Sequence, residues 1–323
     1  MLLAVAGKKI PRCASRLAHP KMRDSPEVCD PLGYWAEENC LGTIKPILLT
    51  RFPLAKQRLD TLLVEQGLCP SRQQAQRLIR AGEVKIAQQV MDKPGTLVAA
   101  DAIIELKEKP PFVSRGGEKL AKALKTFDFD PTGKICLDGG ISTGGFTDCL
   151  LQSGAKQVYG VDVGYGQVAW KIRQDPRVVL KERTNIRYLT PEALYQGQAI
   201  ATLGVMDVSF ISLVKVLPAF WKLLAPPRDV VLLVKPQFEV GREKIGKKGV
   251  VRDARDQAGA IAQVSQAAAD IGWHYCGLTW SALVGPAGNI EYLLWLRSDH
   301  EMRQPWPDLT ELQTLTHAAR QAL

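Results

Sequence analysis

Residues 134–166 read KICLDGGISTGGFTDCLLQSGAKQVYGVDVGYG, and the order of residue types predicts strand, glycine-rich turn, helix, strand and acidic loop. Ile135, Cys136 and Leu137 form a short apolar run that ends on Asp138, as a buried parallel strand does when it delivers its last residue to a ligand. Gly139, Gly140, Gly144 and Gly145 crowd the turn that follows. Glycine takes positive φ freely and lets a bound molecule approach the backbone with no Cβ in the way. Ser142 or Thr143 is expected to cap the next helix, which carries Phe146, Leu150 and Leu151 inward. Residues 158–161 form the second strand, which stops on Asp162. An acidic residue about 20 positions after such a turn commonly takes ribose hydroxyls in nucleoside-binding folds.

The spacing narrows the ligand. The turn is not G-x-G-x-x-G, and no G-x-x-x-x-G-K-[ST] occurs, so a pyrophosphate cradle is disfavoured. A nucleoside cofactor without phosphates remains, and S-adenosylmethionine fits. Asp138 would stand near its charged methionine end, Gly140, Ser142, Thr143, Gly144, Gly145 and Phe146 around the turn, and Asp162 on its ribose. An ordinary strand–turn–helix, with glycines serving only a tight turn, is the alternative. Two strand-ending carboxylates bracketing four glycines favour the cofactor.

Composition bounds the rest. The chain has 323 residues, 46% of them hydrophobic, enough for one large domain plus a small one. A net charge of +9 and a pI near 9.2 suit a polyanionic partner. Seven cysteines include no C-x-x-C pair, so neither a disulfide framework nor a metal site is expected, and a reducing, cytoplasmic setting is. No apolar run approaches the length of a membrane span, and no obligate protein partner is evident. Residues 1–55 mix six prolines with scattered charge and no sustained period. They read as a poorly ordered extension, and a mis-assigned start codon accounts for them equally well.

Residues 56–106 have the pattern of a small α+β module. Leu59, Leu62 and Leu63 share a helical face that ends at Gly67, and Ser71 with Gln74 has capping-box spacing before a second helix that Gly82 closes. Ala75, Leu78 and Ile79 are expected inward and Arg72, Arg77 and Arg80 outward; with Arg58, these arginines are the candidate RNA contacts. Residues 84–86 and 102–106 follow as strands. A solvated basic face is the plainer account of the same charges.

Residues 107–113, KEKPPFV, are a linker by composition. Residues 114–127 then form a helix with Leu120, Ala123, Leu124 and Phe127 inward and Lys119, Lys122 and Lys125 outward. Further apolar runs at 178–180, 203–206 and 230–234 alternate with helical stretches, so residues 114–298 predict a doubly wound, mostly parallel α/β sheet of Rossmann type. Ligands on such sheets lie beyond the carboxyl ends of the strands, where Asp207 and Lys235 stand. Residues 241–256 are a basic, glycine-bearing loop with Lys247 and Lys248, placed to close on an RNA backbone or simply to lie on the surface. Residues 299–323 read as a polar loop and an amphipathic tail helix.

Together DGGISTGGFTD, VDVGYGQVAW, SRGGEKL, DVSFISL, VKPQFEVG and GNIEYLLWLR resemble the TlyA family of ribosomal RNA 2′-O-methyltransferases, whose catalytic domain is FtsJ-like and whose name is also attached to hemolysins. The likeness runs from about Gln57 to Arg297, and residues 56–106 resemble the alpha-L RNA-binding motif of the fourth small-subunit ribosomal protein. Two departures stand out: Ile141 replaces the usual alanine, and Gly117-Glu118 replaces alanine-histidine. The resemblance implies a catalytic set of Lys119, Asp207, Lys235 and Glu291, further RNA contact by Arg115, and 2′-O-methylation of cytidine ribose in ribosomal RNA or ribosomal subunits. Lys235 is the candidate base, since an in-line methyl transfer to an alcohol needs help with proton removal. Taken singly, each of the four reads as a surface charge. A non-catalytic RNA binder that keeps the fold is a second account. A membrane-lytic protein is a third, but the sequence has no signal, span or strongly amphipathic insertion helix.

Overall fold

The computed structural model describes residues 55–107 and 110–323. The extension expected at 1–55 therefore lies, apart from Ala55, outside the described residues. The chain divides into two compact units: one takes the described residues up to Arg80 with Lys93–Ile103, the other Ala81–Asp92 with Ile104–Leu323. Residues 56–106 are thus shared between them.

In the first unit, β1 (Lys56–Arg58) leads into α1 (Leu59–Glu65) and α2 (Arg72–Arg80). Leu59, Leu62, Leu63, Ala75 and Ile79 are buried, as their helical spacing requires. Asp60 is buried with them, and Arg58, Arg72 and Gln76 all donate to its carboxylate at 2.9–3.0 Å. In the second unit, β2 (Val84–Ile86) and β3 (Gln89–Met91) form a hairpin. Then β4 (Leu97–Ala99) pairs antiparallel with β1 inside the first unit, and β5 (Ile104–Leu106) lies beside β2 in the second.

The rest of the second unit is a seven-stranded sheet. In chain order come α3 (Gly116–Phe127), β6 (Ile135–Gly139), α4 (Gly145–Gln152), β7 (Gln157–Val161), α5 (Trp170–Arg173), β8 (Val178–Lys181), α6 (Pro191–Tyr195) and β9 (Leu203–Met206). They are followed by α7 (Leu217–Leu223), β10 (Asp229–Val234), α8 (Pro236–Glu239), α9 (Ala254–Ile271), β11 (His274–Trp280), β12 (Tyr292–Arg297) and α10 (Leu309–Ala322). The strand order is β11-β12-β10-β9-β6-β7-β8, parallel from β10 to β8, with β12 antiparallel to both its neighbours. Strands buried on both faces need apolar side chains in both directions. In β10, Val231 and Leu233 enter the core with α3 and α4, while Val230, Leu232 and Val234 enter the opposite core with α7 and α9. The order reverses between β6 and β9, and that switch point is where a doubly wound sheet opens a crevice for ligands.

Some expectations change here. Phe112 and Val113, counted as linker, pack on the core beside α3, and the Val113 N–H donates to buried Asp148. The tail helix α10 packs on α9, with Leu312, Thr316 and Ala319 buried. Neither Ser142 nor Thr143 caps α4; Gly144, at φ 96°, is the N-cap. Ile141 and Gly117 have local packing reasons, while Glu118 has no structural explanation: the Ile141 side chain fills the space beside Gly160, and the Phe112 ring stands where a Cβ on residue 117 would be.

Candidate active site

Two cavities adjoin at the switch point. The larger, about 560 Å³, is walled by Gly140, Ser142, Asp162, Gly164, Asn185, Asp207 and Phe210 among others. The smaller, about 200 Å³, is walled by Arg115, Lys119, Gly140, Ser142, Thr143, Gly145, Phe146, Asp207 and Pro286 among others. Gly140, Ser142 and Asp207 belong to both.

The turn after β6 builds the shared wall. The Asp207 N–H donates to the Gly139 carbonyl at 3.0 Å, stitching the end of β9 to the end of β6. Gly140 sits at φ 90°, and a Cβ there would stand 2.6 Å from the Asp207 carbonyl oxygen. No other residue fits that crossing without moving backbone. Gly145 serves packing: a Cβ would meet the Gly117 nitrogen at 2.8 Å, so α3 and α4 approach closely and Lys119 is carried to the cavity. Asp162 accepts from the Ser142 N–H at 2.8 Å and the Gly164 N–H at 2.7 Å. Both oxygens are thereby fixed, and each carboxylate oxygen still has acceptor capacity toward the cavity.

Asp138 is fully buried. Its Oδ2 accepts from the Thr147 hydroxyl at 2.7 Å, while Oδ1 has no partner. Burial pushes this carboxyl up to about 7, with the charge of Asp207 adding to the shift and the Thr147 bond opposing it. Asp138 itself lines neither cavity, but it stands two residues before Gly140, which lines both, and a buried, orphaned carboxylate oxygen there is suited to a cationic group.

The four charged residues form two ion pairs. Lys235 Nζ lies 2.6 Å from Asp207 Oδ1, off the line of a good hydrogen bond, and donates to Ser209 Oγ at 2.8 Å. Lys119 Nζ donates to Glu291 Oε2 at 2.5 Å. Lys119 was expected to face outward with Lys122 and Lys125; it is buried instead, at 8% exposure, because α3 turns that side toward the sheet end. One member of each pair, Asp207 and Lys119, lines the smaller cavity, with Lys235 and Glu291 immediately behind. The arrangement can hold a hydroxyl-bearing substrate beside charged groups, with an oriented lysine one residue back.

Other expected positions fall elsewhere. Gly144 lines neither cavity; a Cβ there would meet Ile172 at 3.2 Å, so its part is to start α4. Arg58 and Arg72 are engaged by Asp60, whose carboxyl they hold far below the usual carboxylate range, Arg58 most strongly. Arg77 and Arg80 are exposed on α2. Lys247 and Lys248 line a separate cavity. Sequence reasoning missed Ser209, Asn185, Phe210 and Pro286. Only Ser209 and Phe210 had a signal, lying within the quoted DVSFISL block.

With this geometry in place, likeness to known proteins is informative. The model of the FtsJ-like methyltransferase family matches residues 112–298, and that of the S4 domain residues 57–104. The 16S/23S rRNA (cytidine-2′-O)-methyltransferase TlyA of Mycobacterium tuberculosis is 49% identical over 246 residues, which are 75% of this chain and 90% of that one. Hemolysin A of Brachyspira hyodysenteriae is 40% identical over 237 residues, 73% of this chain and 98% of the relative. A solved structure from Streptococcus thermophilus that carries a hemolysin name matches with a TM-score of 0.63 at 42% identity, covering 83% of this chain and 97% of that one. An FtsJ-like model over more than half of the chain, and relatives matched over nearly their whole length, establish that the chain belongs to the TlyA family, its S4 domain followed by an FtsJ-like methyltransferase domain.

Proposed function

We propose that the protein is a cytoplasmic enzyme that transfers the methyl group of S-adenosylmethionine to the 2′-hydroxyl of a cytidine in structured ribosomal RNA. The observation that carries this is the meeting of two cavities at Asp207, with Lys235 Nζ 2.6 Å from its carboxylate. The larger cavity suits the nucleoside part of the cofactor, with Asp162 toward its ribose. Asp138, with an orphaned buried oxygen, suits its cationic end, and Gly140 leaves the backbone bare between them. When bound, S-adenosylmethionine supplies an electrophilic methyl carried on sulfur.

The chain's residues supply position and proton transfer. Lys119, on the wall of the smaller cavity, donates to the substrate ribose, and Glu291 fixes its direction. Lys235, as the free amine, takes the 2′-hydroxyl proton while Ser209 and Asp207 hold its Nζ in place. Exposed Arg77 and Arg80 on the S4 domain take phosphates. No described helix is long and apolar enough to cross a membrane.

The test is single-turnover transfer of labelled methyl to ribosomal RNA between pH 6 and 10. Lys235→Ala should lose a factor of about 10² to 10⁴, with cofactor and RNA affinity near normal. Lys235→Arg should not restore it, because arginine keeps the charge but cannot release its proton. Transfer by Lys235→Arg at close to the wild-type rate would sink the base assignment.

A further inference from the structure

Behind the active site lies a cavity of about 420 Å³ whose walls include Lys247, Lys248, Arg252 and Arg320 and no carboxylate. Three of these cations come from the loop before α9 and the fourth from α10. Among the described residues none of the four forms an ion pair, whereas nearby Lys244, off the cavity wall, is paired with Asp256 at 3.0 Å. Four like charges around one hollow repel each other unless an anion sits among them.

The framework beneath them is built from buried polar groups. Asn289, 2% exposed, accepts from the Val251 N–H at 2.9 Å and donates to the Gly249 carbonyl at 2.8 Å. Gln257 donates to the Val251 carbonyl at 2.8 Å and accepts from the Tyr292 hydroxyl at 2.7 Å. On the far side, Thr316 donates to the Ala254 carbonyl at 2.9 Å and ties α10 to the start of α9. The loop is therefore held in shape before any ligand arrives. Asn289 also stands two residues from Glu291. Pro286 lines the smaller catalytic cavity, while Gly288 and Ile290 line the basic one, so a single hairpin separates them.

We propose that this basic cavity binds a phosphodiester of the RNA strand whose ribose occupies the catalytic cavity. The assignment rests on the functional reading above and adds to it a defined contact, including Arg320 of the C-terminal helix. Fixed cations one hairpin away from the reacting sugar would set which nucleotide along the strand reaches Lys119 and Lys235.

The test measures binding rather than turnover. Lys248→Gly together with Arg320→Gln removes two charges from exposed positions, and glycine suits the backbone at residue 248, where φ is 69°. Affinity for deproteinised ribosomal RNA would be followed against salt by filter binding. The double variant should lower the slope of log affinity against log salt by about 0.7 to 0.9 per lost contact, with cofactor affinity unchanged. Lys244→Gln should leave the slope as it is. An unchanged slope in the double variant, with the intact chain binding normally, overturns this inference alone; no RNA binding by the intact chain overturns the functional reading as well.

Discussion

Asp138→Asn should strengthen the fold and weaken the cofactor, and both effects can be sized. Burial, with repulsion from Asp207 and Asp162, lifts the Asp138 carboxyl from an ordinary 3.8 to about 7. An acid whose folded-state value is raised holds its proton more tightly in the folded chain than in the unfolded one. Its favourable contribution is complete below about pH 4 and is lost as pH rises to 7; above that, the buried anion costs up to about 4 kcal/mol. Asparagine keeps an acceptor for the Thr147 hydroxyl and carries no charge. The variant should therefore melt several degrees above wild type at pH 8 and close to it at pH 4. A cationic cofactor favours the ionised carboxylate, so wild-type affinity should rise roughly tenfold between pH 6 and pH 8 and the variant's should stay flat. Thermal unfolding from pH 4 to 8 and calorimetric titration with S-adenosylmethionine read the two effects separately. A variant less stable than wild type at pH 8, or a wild-type affinity that is flat across pH 7, would refute the reasoning.

Arg77→Gln with Arg80→Gln should lower the salt slope of ribosomal RNA affinity by about one unit per lost contact, read by filter binding. Adding Arg72→Gln should also cost about 1–2 kcal/mol in denaturant melts, because buried Asp60 loses one of its donors. Lys119→Met should cost about 3–5 kcal/mol by leaving buried Glu291 without its partner. Lys119→Met with Glu291→Leu should recover most of that stability in thermal unfolding while methyl transfer stays down by at least about a hundredfold.

The sheet was legible because β6, β9 and β10 are buried on both faces and so read as unbroken apolar runs ending on Asp138, Asp207 and Lys235. What failed to show depends on distant packing or on unusual backbone. Lys119, Lys122 and Lys125 recur every three residues like a solvent face, and the burial of the first of them against Glu291, far along the chain, leaves no local signal. The β2–β3 hairpin turns through Ala87 and Gln88, both at positive φ, where asparagine and glycine would have given the signal. Arg58 and Arg72 look free along the chain, since nothing local says that Asp60 between them is buried. Arg115 does line the smaller cavity, but no residue spacing placed it there.

The two ion pairs make more sense as catalytic geometry than as stability. Withdrawing two charges from water costs several kcal/mol per ion, about what their attraction returns. Yet their partners come from α3, the end of β9, the end of β10 and the start of β12, with Lys119 and Glu291 172 positions apart. β9, β10 and β12 lie side by side in the sheet, which brings the ends that carry Asp207, Lys235 and Glu291 together. In the base step proposed for Lys235, the amine that accepts the proton becomes an ammonium 2.6 Å from Asp207. The attraction between them is weak before the proton moves and strong afterwards, so the carboxylate favours the transition state over the ground state, which is the condition for raising the rate. Ser209 contributes in both states by holding Nζ and so aids position alone. Lys119 does not change charge, and its Glu291 partner therefore offers no such differential. On the mechanism proposed above, the pair at the switch point acts on the chemistry, and the one from α3 acts on where the substrate lies.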